Sequence, residues 1–269
     1  MPRHVAAPTD PAARQDGCVP PASRLAAAAY AALAVTDTWL AGSRSASRRK
    51  LRLITKPLLM PALGTAYAAS LREMPAEDSA RSRGGLLQGG TVAAQALSGV
   101  GDIALLSKSE PAFLTGLSSF FGAHIAYSTA FVSAGRPLED RSADAGPIAA
   151  GAFFAVAGPT LGWAAGRRSP RLRAPVTAYA GIISTMFAAS TRLEQGIPAE
   201  ARRAVVAGTT LFVLSDSVIG LRKFVMKDPQ PRSDAVVMAT YTAGQGLIAY
   251  GVAKAVRARA ATAPKHRAG

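Results

Sequence analysis

The chain has 269 residues, of which 49% are hydrophobic, 17% charged and 6% aromatic, with one cysteine and 31 Lys+Arg against 16 Asp+Glu. A charged share well below the roughly one quarter usual in soluble domains points to apolar surroundings, and a lone cysteine excludes a disulfide scaffold. The formal net charge of +15 would suit nucleic acid if the cations gathered on one face, but they fall between apolar stretches, so no nucleic-acid partner is expected.

Residues 1–23 read as a disordered N-terminal tail containing Pro, Ala and Arg, without the apolar core of a cleavable signal. Eight apolar stretches follow, at 25–42, 53–71, 86–106, 112–134, 146–165, 174–190, 203–221 and 235–253. Each is 17–23 residues long, close to the ~20 that a helix needs to cross the hydrocarbon core. Small residues dominate, as in Ala149–Gly158 and Ala204–Thr210, and these let helices approach closely in lipid. Residues 255–269, with Arg257, Arg259, Lys265 and Arg267, form a basic tail of the kind attracted to lipid headgroups. A soluble Ala-rich bundle would need polar helix faces, which these stretches lack. The expected fold is therefore all-α: a polytopic membrane protein with a bundle of about eight transmembrane helices over 24–254. The expected location is a bacterial inner (plasma) membrane. Basic residues in the connecting loops favour the side carrying Arg44–Arg52, Arg167–Arg173 and Arg222–Arg232 as cytoplasmic, while the two tails argue the other way.

Ionisable groups inside hydrocarbon are costly and face a protein interior or a wet cavity. Here they are Asp37, Lys56, Asp102, His124 and Asp216. Measured from the face bearing the basic loops at 1.5 Å per residue, Asp37, Lys56, Asp102 and Asp216 lie roughly 5–8 Å deep. Tyr241 falls at about 9 Å, Gln245 near 15 Å, and His124 and Tyr127 at roughly 18–23 Å. Four charges from four helices at one level converge on a polar pocket opening to one leaflet. Inert roles compete for each residue: Asp37 and Lys56 can snorkel to the interface, Asp102 can pair with Lys56 between helices, and His124 can be a hydrogen-bonded core histidine. Pro57 and Pro61, after Lys56, free backbone carbonyls and permit a kink.

At these positions the chain resembles the YhhN-like, lysoplasmalogenase family of integral membrane proteins. The resemblance rests on Thr55-Lys56-Pro57-Leu58-Leu59-Met60-Pro61, on Gly101-Asp102-Ile103-Ala104-Leu105-Leu106, and on Phe120-Phe121-Gly122-Ala123-His124-Ile125-Ala126-Tyr127. It continues in Leu211–Asp216 with Phe224, and in Ala239-Thr240-Tyr241-Thr242-Ala243-Gly244-Gln245. These motifs run in family order from about residue 51 to 251. Gly244 departs from a position where Ala is commoner.

The resemblance implies hydrolysis of the vinyl ether bond of lysoplasmalogens to a fatty aldehyde and a glycerophospho-ethanolamine or -choline. Such a bond breaks by protonation of its β-carbon and addition of water to the resulting oxocarbenium ion. That needs a carboxylic acid that keeps its proton and a carboxylate that stabilises the cation, the logic of a glycosidase pair. Asp102 and Asp216 are the expected catalytic pair, in no assigned order. Lys56 would hold one of them ionised or bind the substrate phosphate, and His124, Tyr127, Tyr241 and Gln245 would orient water or headgroup. The chain of the lysophospholipid would lie among Phe120, Phe121, Phe153 and Phe154. No cofactor and no metal is expected, since one Cys and one mid-span His make a poor zinc site, and the oligomeric state is open. The alternative is a small transporter or channel using the Asp/Lys/His cluster as an ion or proton path.

Overall fold

The structure, a computed structural model, describes residues 21–77, 85–137, 145–227 and 230–262. It consists of eight long helices: α1 Ala22–Ala41, α2 Ala46–Arg72, α3 Leu86–Ala104, α4 Glu110–Ser133, α5 Ala145–Arg168, α6 Arg173–Ser190, α7 Ala199–Gly220 and α8 Pro231–Thr262. A short π-helical turn, Leu221–Val225, prolongs α7. The fold is all-α as expected, with one isolated bridge between Gly135 and Leu193 where the α4 and α6 ends meet.

Each expected stretch coincides with one helix, and the differences lie at the ends. Arg48, Arg49, Lys50 and Arg52, expected in a loop, form the first turns of α2. Residues 255–262, expected in a tail, are the last turns of α8, with Ala255, Val256 and Ala260 buried. Of the expected N-terminal tail, residues 1–20 lie outside the described residues, as do 263–269 at the other end.

Local chemistry explains the helices. Ser109 caps α4 by accepting the Ala112 N–H at 3.3 Å, ahead of Glu110 and Pro111 in the first turn. Within spans, Thr36, Thr65, Thr115, Thr185 and Thr210 donate to the carbonyl four residues earlier, so these hydroxyls need no partner outside their own helix.

Consecutive helices pack as hairpins: α1 with α2, α3 with α4, α5 with α6, and α7 with α8. α8 also touches α1, α2 and α3, while α6 joins α4 to α7. α5 rests on α6 and on the turn after α7, and so is the outermost helix. The α7–α8 crossing depends on glycine. A Cβ on Gly208 would lie 2.7 Å from the Gly244 oxygen, and one on Gly244 would lie 2.8 Å from the Gly208 oxygen. This backbone contact also explains why Gly stands at 244 in place of Ala.

The burial pattern is inverted relative to a soluble bundle. Asp37, His124 and Gln245 are fully enclosed, and Asp102 is 2% exposed, whereas Val35, Ile54, Ile148, Val156 and Trp163 face outward. Hydrocarbon surroundings favour that arrangement, because polar groups must find partners inside. By length and composition alone, two helices among the described residues are apolar enough to cross a membrane, Ala145–Arg168 and Ala199–Val225. The others carry basic first turns, as α2 does, or a high content of Ala, Gly, Ser and Thr.

Candidate functional site

The enclosed polar groups form three connected sets. In the first, Asp37 of α1 accepts hydrogen bonds from Thr55 Oγ1 (2.6 Å) and from Arg52 Nε and Nη2 (3.3 and 3.2 Å) of α2. Asp37 thus forms an inward ion pair with Arg52 instead of reaching the interface. One residue further along α2, Lys56 turns inward too. Its Nζ lies 3.3 Å from Asp102 Oδ1 in the last turn of α3, and Tyr241 Oη of α8 donates to Asp102 Oδ2 at 2.7 Å. Each oxygen of Asp102 therefore has a donor, and the Lys56 ammonium is committed to it.

The second set surrounds Asp216 of α7. Tyr179 Oη of α6 donates to Asp216 Oδ2 at 2.5 Å, and His124 Nε2 of α4 lies 3.9 Å from the same oxygen. His124 Nδ1 is 2.5 Å from the Phe120 carbonyl oxygen. A carbonyl can only accept, so Nδ1 carries the hydrogen in the neutral ring and Nε2 is a bare acceptor; Nε2 is buried and has no hydrogen-bond partner. His124, expected well below Asp216, instead brings its Nε2 within 3.9 Å of the Asp216 carboxylate. His124 and Asp216 share one level.

Packed aromatic rings separate the two aspartates. Phe120, Phe212 and Tyr241 meet edge to face with centroids 5.4–6.2 Å apart, and His124 stands 4.8 Å from Phe212 and 5.3 Å from Tyr179. Asp102 and Asp216 are neighbours across this layer and have different surroundings.

The third set is deeper and neutral. Tyr127 Oη donates to Gln245 Oε1 at 2.6 Å, and Gln245 Nε2 donates to Ser98 Oγ at 3.0 Å. Tyr127 and Gln245, expected to orient water or headgroup, satisfy each other at full burial.

A cavity of about 70 Å³ lies between α4, α5, α6 and α7. Asp216 and Tyr179 supply its polar wall, while Leu117, Phe120, Phe153 and Ile183 supply apolar lining. Of the four phenylalanines expected around a lipid chain, Phe120 and Phe153 line it. Phe121 does not, and Phe154 is 38% exposed; the helical turn puts neighbouring residues on different faces. Asp102, Lys56, His124, Tyr241, Tyr127 and Gln245 do not line it. Tyr179, which the sequence reading passed over, does. Its signal was a tyrosine inside an otherwise aliphatic stretch, but the stretch carried no motif to single it out. Among the described residues no group of three or more His, Cys, Asp or Glu could hold a metal ion.

The family model described as the YhhN family matches residues 51–252. The chain is similar to lysoplasmalogenase TMEM86A of Bos taurus, with 33% identity over 155 residues covering 56% of this chain and 60% of that relative. The chain thus spans about 60% of the length of the curated relative that it matches. No solved structure matches it.

Proposed function

The chain belongs to the YhhN family, and from that premise we propose that it is a membrane hydrolase cleaving the vinyl ether bond of lysoplasmalogens to a fatty aldehyde and a glycerophospho-headgroup. The observation that carries the reading is a carboxyl group, Asp216, on the wall of an apolar cavity lined by four helices and accepting a 2.5 Å hydrogen bond from Tyr179. The similarity to a named lysoplasmalogenase supports the same chemistry. The enclosed charges and outward aliphatic side chains support a bilayer setting, in which the lysophospholipid substrate reaches the cavity laterally.

In this reading Asp216 is the acid that touches the substrate. Tyr179 occupies Oδ2, which leaves Oδ1 to carry the proton. That proton passes to the β-carbon of the vinyl ether, and the π electrons form the new C–H bond, leaving an oxocarbenium ion. Water adds at the α-carbon and gives its proton to the Asp216 carboxylate, which restores the acid. The hemiacetal then collapses, its hydroxyl proton moving to the departing glycerol oxygen. Asp102 remains a carboxylate through Lys56 at 3.3 Å. From behind the aromatic layer its negative charge stabilises the cation through space, where low dielectric strengthens the attraction.

The test offers purified protein, in detergent or liposomes, a vinyl-ether lysolipid beside its saturated-ether and ester analogues. Free aldehyde is followed for wild type, Asp216→Asn and Asp102→Asn. Aldehyde from the vinyl ether alone, reduced on the order of 10²–10⁴-fold in Asp216→Asn, is expected for loss of a general acid. Folded wild type that leaves every lipid intact refutes the proposal.

One observation favours a proton or ion path as a second reading. Buried hydrogen-bonding side chains continue past the aspartates through Ser98, Gln245 and Tyr127. Against it, the buried Asp, Lys and His residues stay near one level. Proteoliposomes containing a pH-sensitive dye decide this: proton flux abolished by Gln245→Leu would favour the path.

A further inference from the structure

A buried aromatic pair forms one end of the cavity beside Asp216. Phe113 of α4 and Phe224 of the turn after α7 meet edge to face with centroids 5.9 Å apart, and both line the cavity. The Lys223 ammonium sits over the Phe113 ring, 4.0 Å from its centroid. Within the π turn Phe224 is buried and Lys223 exposed; such single turns recur at functional sites.

Lys223 makes no hydrogen bond or salt bridge among the described residues, and the opposite charge acting on it is Glu110. Two other cations are engaged: Arg222 holds Asp234 at 2.6 Å, and Lys56 holds Asp102. Lys223, exposed and resting on a ring that lines the cavity though not lining it itself, has donors to offer at this end. Asp216 lies two turns back on the same helix, about 10 Å along its axis, and the apolar lining continues beyond it to Ile183 and Phe153.

Resting on the lysolipid reading above, we propose that Lys223 is the headgroup-phosphate contact, and that it sets which bond of a threaded lipid stops at Asp216. An ammonium carries three donors, and phosphate oxygens accept them as charge-assisted bonds. The Phe113 ring beneath holds the ammonium at this end of the cavity by cation–π attraction. With the phosphate there, the glycerol unit spans the upper cavity, the ether bond falls beside Asp216, and the hydrocarbon chain fills the apolar end. Lys56, expected from the sequence either to hold one aspartate ionised or to bind the phosphate, faces Asp102 at 3.3 Å and takes the first of these roles in this proposal.

The experiment measures binding of two non-cleavable probes to detergent-solubilised full-length protein: a saturated-ether lysophosphocholine and the 1-alkylglycerol of the same chain, which lacks the phosphate. Wild type is expected to prefer the phosphate-bearing probe by roughly 10- to 100-fold, the worth of one hydrogen-bonded charge. Lys223→Gln is expected to erase that preference while binding alkylglycerol normally, and Lys223→Arg to retain it. An unchanged preference in Lys223→Gln, or none in wild type, overturns the proposal. Aldehyde release from the vinyl-ether substrate is followed in parallel. A Lys223-dependent preference without turnover would leave the headgroup contact standing and sink the hydrolase reading; turnover with an unchanged preference would do the reverse.

Discussion

Replacing Lys56 by methionine keeps the length of the side chain and removes its charge. Asp102 would then stay 2% exposed, with Tyr241 as its remaining direct donor and no cation in contact. Breaking a buried pair from one side costs about 3–5 kcal/mol, because the surviving charge is left uncompensated. At roughly 2–4 °C per kcal/mol for a chain of this size, Lys56→Met is expected to lower the melting temperature by roughly 6–20 °C. Asp102→Asn on its own leaves an ammonium buried but keeps an acceptor for Tyr241. The double variant removes both charges and is expected to recover much of the loss. Thermal unfolding of the four proteins in one detergent, followed by the fluorescence of Trp39 and Trp163, closes the cycle. A coupling energy of about 1.5 kcal/mol or more is expected. Single losses that add to within about 0.5 kcal/mol, or a Lys56→Met protein as stable as wild type, would refute the idea that these two charges are held against each other.

Three further outcomes follow from other parts of the molecule. Tyr179→Phe removes the 2.5 Å hydrogen bond to Asp216 without changing the ring; steady-state kinetics on the vinyl-ether lysolipid should show kcat reduced about tenfold with KM nearly unchanged, and an unaltered kcat would remove Tyr179 from the site. Gly244→Ala places a methyl group 2.8 Å from the Gly208 oxygen; overpacking of about 1–3 kcal/mol should appear as a lowered melting temperature, and a neutral result would mean that α7 and α8 separate without strain. The Glu73 carboxyl lies below its usual range, chiefly because the Ser23 hydroxyl donates to it, with the Ser23 N–H and Arg257 adding to the effect. A depressed carboxyl contributes its tie fully above the unfolded value and loses it as pH falls through the folded one. Hydrogen-exchange protection at the start of α1, taken relative to the intrinsic rate at each pH, should therefore fall on acidification, and Glu73→Gln should remove that fall.

Hydropathy and helix length were enough to number and order the eight helices, because a run of apolar residues is a local property and every backbone group in such a run is satisfied within its own helix. Spacing also identified the groups too costly to leave in hydrocarbon: Asp37, Lys56, Asp102, His124 and Asp216 all proved to be enclosed or partly enclosed. Which of them meet was not written locally. Tyr179 is 37 positions from Asp216, and Tyr241 is 139 from Asp102; such partners depend on how each helix is rotated and how far it slides against its neighbours. Close backbone crossings such as Gly208 with Gly244 constrain those rotations. Tertiary packing alone placed an aromatic layer between the two aspartates and gave the cavity to Asp216. It also turned Lys56 inward and left Lys223 exposed over the Phe113 ring, because a side chain's charge is compensated by whatever the neighbouring helix presents to it.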